Sequence, residues 1–199
     1  ENEFFQLIFC GGTCLAKAHK LVQRMSEDVD FKVQLKINEK FSKSRLKKEL
    51  KEFRSRIRAT LTIPDLKVTN DVARNEGRYQ QITLKYPNSF QISSALRPNI
   101  KTEFTLADIL MPINELEIKT IIEDNFKDSN ILTPQITKCI SINETAIEKW
   151  VGLTRRINAI ERGREEDDKT LIRHVYDLNA IGQANTFNST FIEVAKIIV

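Results

Sequence analysis

Apolar positions along this chain first crowd together, then alternate, then recur at helical spacing. Phe4 to Cys10 is almost continuously apolar and ends in Gly11-Gly12, which predicts a buried strand entering a tight turn. Leu15, Ala18, Leu21 and Val22 then predict a helix from Thr13 to Val22. Val29, Phe31, Val33 and Leu35 alternate with Asp30, Lys32, Gln34 and Lys36, the period of a strand with one polar face. From Ser42 to Thr60, Leu46, Leu50, Phe53 and Ile57 fall on one side of a long helix whose remaining surface is basic. Strands are expected at Leu66 to Asp71, Arg78 to Tyr86 and Ile100 to Leu106. Turns are expected at Asn75-Glu76-Gly77, Pro87-Asn88-Ser89 and Pro98-Asn99. Glu117 to Glu123 and Ile136 to Ile142 add two further expected strands.

From Asn143 the pattern becomes helical. Ala146, Trp150, Leu153, Ile157 and Ile160 form an expected core stripe, broken at Gly163. A second helix, capped by Asp167 or Asp168, is expected to bury Leu171, Val175 and Leu178, and a third follows Asn185. The pattern therefore predicts an α+β chain with a mixed sheet and helices over 1–142 and a helical subdomain over 143–199.

Composition narrows the class. With 199 residues, 41% hydrophobic and 29% charged, the chain suits a soluble globular protein. No apolar run approaches the roughly 20 residues of a membrane helix. Glu1 to Cys10 lacks the basic start of a secretory signal. The chain begins without Met and ends inside the apolar run Ile192 to Val199, as a trimmed reading frame would. Three unpatterned cysteines (Cys10, Cys14, Cys139) point to a reducing cytoplasm rather than a disulfide framework, and two histidines leave little for zinc. Net charge is only +4, but ten Lys/Arg face three Glu between Lys36 and Arg58. That excess is either a nucleic-acid surface or a solvated helix face.

Chemistry concentrates near the first turn. Asp28 and Asp30 stand two apart on an extended segment, so their carboxylates project from one face about 6–7 Å apart along it. Like charges so placed favour a divalent cation with oxygen preference, or else ion pairs with Arg24 or Lys32. Gly11 and Gly12 let the backbone approach phosphate oxygens at a helix start. Gly-Gly-Thr, one helix, then Asp-x-Asp is more specific in that order than either part alone.

Gly11-Gly12-Thr13-Cys14-Leu15-Ala16-Lys17-Ala18 followed by Arg24-Met25-Ser26-Glu27-Asp28-Val29-Asp30-Phe31 resembles the abortive-infection nucleotidyltransferase toxins of the AbiE (AbiEii/AbiGii-like) type. These belong to the polymerase-beta-like nucleotidyltransferase superfamily. Glu148-Lys149-Trp150-Val151-Gly152-Leu153 with Arg155 resembles the family's lysine motif, and Arg173-His174-Val175-Tyr176-Asp177-Leu178 its late aspartate motif.

The resemblance implies the following. The sheet is the twisted mixed sheet of the nucleotidyltransferase type, and the C-terminal helices complete a nucleotide cleft. Gly11, Gly12 and Thr13 hold the triphosphate of an NTP, while Asp28 and Asp30 bind Mg²⁺ or Mn²⁺. Glu103 is the candidate third acid, as metal ligand or general base; its alternative is a surface pair with Lys101. Lys149 contacts the nucleotide phosphates and Asp177 orients it; the alternatives are an interhelical salt bridge and an Arg173–Asp177 pair. Cys14 and His19 are read as packing residues. The implied function is transfer of an NMP from an NTP, with pyrophosphate release, in a bacterial toxin–antitoxin or phage-defence system with a cognate antitoxin. RNA, above all tRNA, is the preferred acceptor, contacted through the basic helix 43–58. A protein or small-molecule hydroxyl is the second reading, and an inactive RNA- or partner-binding module the third. Neither the NTP nor the oligomeric state is legible.

Overall fold

The computed structural model describes residues 2–36, 41–87, 97–120, 123, 135–164, 166, 168, 170–184 and 189–198. It divides into two compact units, Glu1–Thr13 with Met25–Asp108, and Cys14–Arg24 with Ile109–Val199. The expected boundary at 142 falls inside the second unit. That unit gathers residues from before the boundary because Leu15 and Val22 share a core with Ala146 and Ile181.

In the first unit, β1 (Phe5–Cys10), β2 (Asp28–Leu35), β3 (Lys67–Arg74), β4 (Tyr79–Lys85) and β5 (Asn99–Leu106) lie in the order β3-β4-β5-β2-β1. Only β2 and β5 run parallel; the other neighbours are antiparallel, so the sheet is mixed as expected. Alternation in β2 decides its faces. Phe31 and Val33 turn to the core, where Phe31 stacks on Phe104 with ring centroids 5.5 Å apart, and Asp30 and Lys32 share the other face.

Helix α2 (Lys43–Leu61) covers the apolar face with Leu50, Phe53 and Ile57, and Leu46 packs at its edge. Ser42 caps it by accepting the Arg45 N–H at 3.2 Å. Phe53 meets Phe5 at 5.0 Å between centroids; truncating so buried a ring typically costs about 3–5 kcal/mol. The turn at Asn75–Gly77 requires glycine at its end: Gly77 has φ +89°, and a Cβ there would stand 3.0 Å from the Arg54 guanidinium carbon.

Helix α1 (Gly11–Lys17) is shorter than the expected Thr13 to Val22. Lys20 takes a left-handed conformation at φ 55°, and the Leu21 N–H turns back to the Leu15 carbonyl.

The second unit holds the antiparallel pair β6 (Asn114–Ile118) and β7 (Gln135–Cys139), then α3 (Ile142–Glu161), α4 (Leu171–Ala184) and α5 (Ser189–Ile198). Strand β6 lies earlier than the expected 117–123 segment, of which residues 121 and 122 fall outside the described residues, as do Asn88, Ser89 and Asp167. Strand β7 stops at Cys139 rather than Ile142 because Ser141 already caps α3, accepting the Glu144 N–H at 3.1 Å. Asp168 caps the turn into α4 through the Thr170 N–H at 2.9 Å.

The expected α3 stripe is rotated. Trp150 is 64% exposed and Ile157 42%, whereas Glu144, Ile147 and Val151 are buried; on α4, Val175 is exposed and Ile181 buried. Ala146 of the expected stripe is buried, but the inward face also takes Glu144, a position an apolar pattern does not mark. The Glu144 carboxylate accepts the Leu110 and Met111 N–H groups at 3.2 and 3.0 Å, which makes burial tolerable. Among the described residues no helix is long and apolar enough to cross a membrane.

Candidate active site

The polar face of the first unit brings its expected acids together by register. Asp30 lies opposite Glu103 across the parallel β2–β5 ladder, and Asp28 opposite Lys101. Directly paired residues point to one side of a sheet, so Asp28, Asp30 and Glu103 share a face. Gly11 stands at the edge of this face with φ +77°; a Cβ there would overlap the Asp30 carboxylate, 3.0 Å from its Cγ. Glycine is therefore required at position 11 to seat Asp30, a role beyond phosphate approach. The Thr13 hydroxyl donates to the Asp28 carbonyl, tying the start of α1 to the start of β2.

Cations already answer the acids. Arg97 donates to Glu27 through its backbone N–H at 2.8 Å and its Nε at 3.1 Å, and to Asp28 Oδ1 through Nη2 at 3.0 Å. Burial works against the charge on Arg97, but Asp28 and Glu27 more than compensate and raise its pKa. Lys101 Nζ stands 2.8 Å from Glu103 Oε1, the surface pair expected as that residue's alternative. The partner of the Asp28 carboxylate is thus Arg97 rather than the expected Arg24 or Lys32.

Tyr79 borders the acids from β4, donating to Gln81 at 3.2 Å. Burial, then the neighbouring Glu103, pushes its hydroxyl up to about 12. Cys10, opposite Asp30 in the β1–β2 ladder, is pushed up to about 12 by burial and by Asp30, so it stays a thiol.

The oxygen donors of Asp28, Asp30 and Glu103 fit the chemistry of a hard divalent cation, and the missing Gly11 side chain leaves Asp30 room. Among the described residues, no three His, Cys, Asp or Glu side chains converge closely enough to form a ready metal cage. Rearrangement of the Arg97 and Lys101 pairs is what metal loading would require.

The second unit joins the other two expected residues. Asp177 is wholly buried; Arg24 grips it with Nε at 2.7 Å and Nη2 at 2.6 Å, and Lys149 adds Nζ at 2.8 Å. Burial raises the Asp177 pKa, yet the bonds from Arg24 and Lys149 override it and hold the carboxyl below its ordinary range. Arg24 in turn is raised, chiefly by its bonds to Asp177. The interhelical Lys149–Asp177 bridge forms as the alternative reading described, and Arg24 joins it from outside the two helices.

His174 stays neutral over a wider range than usual because burial and then the positive Lys149 lower its pKa; its Nδ1 is buried and has no hydrogen-bond partner among the described residues. His19 and Cys14 pack as expected: Cys14 is buried, and His19 Nε2 lies 2.8 Å from the Ile140 carbonyl.

A family described as nucleotidyl transferase AbiEii toxin, type IV TA system, matches residues 2–198. The chain belongs to this family. No curated protein and no solved structure matches it. Membership makes this AbiEii chain one of a family of nucleotidyltransferase toxins from toxin–antitoxin systems.

Two arginines of the AbiEii chain escaped the sequence reading as site residues. Arg24 sits inside the Arg24-to-Phe31 motif, so its position was visible, but its partner lies 153 residues away. Arg97 carries no local signal beside Pro98, and only the fold brings it to Asp28.

Proposed function

We propose that this AbiEii chain transfers a nucleoside monophosphate from an NTP to a hydroxyl of RNA, with tRNA the preferred acceptor. The observation that supports this reading is the register of β2 against β5, which sets Asp28, Asp30 and Glu103 on one polar face beside the Gly11 turn. In the reaction, the acceptor oxygen forms a bond to the α-phosphorus and the α–β bridging P–O bond breaks. Pyrophosphate leaves, and the acceptor proton passes to a carboxylate. Glu103 is the assigned base.

Asp28 and Asp30, with Glu103, would hold Mg²⁺. Bound there, Mg²⁺ would supply charge neutralisation at the phosphates and acidify the attacking hydroxyl. The chain's own residues do the rest by alignment, the main demand of phosphoryl transfer. Gly11 and Gly12 offer backbone N–H groups to the triphosphate, and the Thr13 hydroxyl would join them on leaving the Asp28 carbonyl to which it donates. In the second unit, Lys149 is the cation the family resemblance assigns to the nucleotide phosphates, and buried Asp177 holds its ammonium. The basic surface of α2 contacts the acceptor's phosphodiesters.

The decisive assay incubates the purified chain with Mg²⁺, each α-labelled NTP in turn, and either total tRNA or total protein. Label entering tRNA in an Asp30-dependent manner is expected. Label entering only protein, or entering tRNA equally well with Asp30→Ala, would overturn the reading.

A further inference from the structure

The basic surface of α2 does not end at the helix. Arg78, in the turn before β4, lines one pocket with Lys43, Lys47 and Glu76, and a second with Arg74, Asn75, Tyr79, Thr105 and Leu106. The second pocket is open and has a volume of about 370 Å³. Arg74 and Arg78 are exposed, and neither makes an ion pair among the described residues. A positive line thus runs from the first turns of α2, through Arg78, to Tyr79. Tyr79 lies opposite Thr105 in the β4–β5 ladder, two residues from Glu103 on the same face.

We propose that Arg74, Arg78 and Tyr79 form the subsite for the acceptor strand, taking a single-stranded RNA end whose upstream phosphates follow Lys47 and Lys43. The inference rests on the RNA reading above and adds where the strand lies. Three features suit an RNA strand. Arg78 belongs to both pockets, so the cations from Arg74 to Lys43 and Lys47 border two adjoining hollows rather than one. The guanidinium fork suits phosphodiester oxygens, which it binds in pairs. The wall between Arg74 and Thr105 is a tyrosine ring, a surface on which an unpaired base or ribose packs. The line also ends next to Glu103, where the acceptor hydroxyl must arrive.

The test measures anisotropy of a short, 5′-labelled, single-stranded RNA with a free 3′ hydroxyl against salt, and transfer to that same RNA. For the double variant Arg74→Ala/Arg78→Ala, binding should weaken at least about tenfold near 0.1 M salt. Its log–log salt slope should become shallower by roughly 1.4, the value for two lost phosphate contacts on a single strand. Arg74→Lys/Arg78→Lys should keep the slope, and Tyr79→Leu should weaken binding roughly tenfold without changing it. Both arginines are exposed, so a thermal melt should match wild type and exclude misfolding as the cause. If wild type binds and extends the RNA but the alanine double variant keeps its affinity and slope, the subsite is wrong while the RNA reading stands. If wild type neither binds nor labels RNA, the RNA reading falls and the subsite with it.

Discussion

Two groups of acids in this molecule are held in opposite ways. In the first unit Asp28 and Glu103 are about one-third exposed, and their partners Arg97 and Lys101 are exposed to a similar degree. In the second unit Asp177 is fully buried, and Arg24 and Lys149 retain only 19% and 11% exposure. Water can replace the first set of partners at little cost, because half-exposed pairs contribute at most about 1 kcal/mol. It cannot replace the second, where losing one member strands buried charge. The first group is therefore built to exchange partners, as the metal- and substrate-binding role proposed for it would require. The second is built to stay closed and to present Lys149 in one position.

The sharpest way to break this contrast is to neutralise one acid from each group. Asp30→Asn should reduce nucleotide transfer by at least about 10³-fold, comparable to removing a key charge-stabilising group. Its unfolding free energy in urea should change by less than about 1 kcal/mol. Asp177→Asn should do the reverse in kind, lowering unfolding free energy by about 3–5 kcal/mol. A small stability loss at Asp177 would mean that Arg24 and Lys149 are solvated in solution, and the two groups would then not differ.

How much of this was legible beforehand follows the same division. The apolar pattern located β1 as a continuous run, and β2 and α2 because each turns one regular face to the core: Phe31 and Val33 on β2, Leu50 and Phe53 on α2. The acids of the first unit were legible because Asp28 and Asp30 are near neighbours in sequence, and Glu103 lies in an alternating strand. The second unit resisted the same reading. Its helices bury Glu144 and Asp177, so a rule that places apolar side chains inward chose Trp150 and Val175 instead. Such burial depends on partners from distant segments, the Leu110–Met111 backbone for Glu144 and Arg24 for Asp177. Local pattern holds no record of them.

Arg97 sharpens the first half of the comparison. If it occupies the Asp28 oxygen that a cation would take, then Arg97→Ala should lower the Mg²⁺ concentration for half-maximal transfer by roughly fivefold, the equivalent of a pair worth about 1 kcal/mol. A rise instead would assign Arg97 to nucleotide binding. Either result is read from a metal titration of initial rates at saturating NTP.

The smallest effect concerns pH and belongs to the closed network. His174 has its folded pKa lowered from 6.5 by burial and by Lys149, with Arg156 and Arg24 acting in the same direction and Asp177 against them. The unfolded chain then binds a proton at ordinary histidine pH while the folded chain does not. Stability from this group is complete above about 6.5, declines as pH falls below it, and levels off once folded His174 is protonated. His19 has a lowered pKa for a similar reason, burial, and adds its own slope over the same range. Asp177 contributes separately: its depressed pKa gives stability that persists above the ordinary carboxylate range and is lost in stronger acid. His174→Gln should accordingly flatten, but not abolish, the fall in urea midpoint between about pH 6.5 and 5, and leave the loss in stronger acid intact. An unchanged slope in that window would place His174 in solvent, outside the field of Lys149.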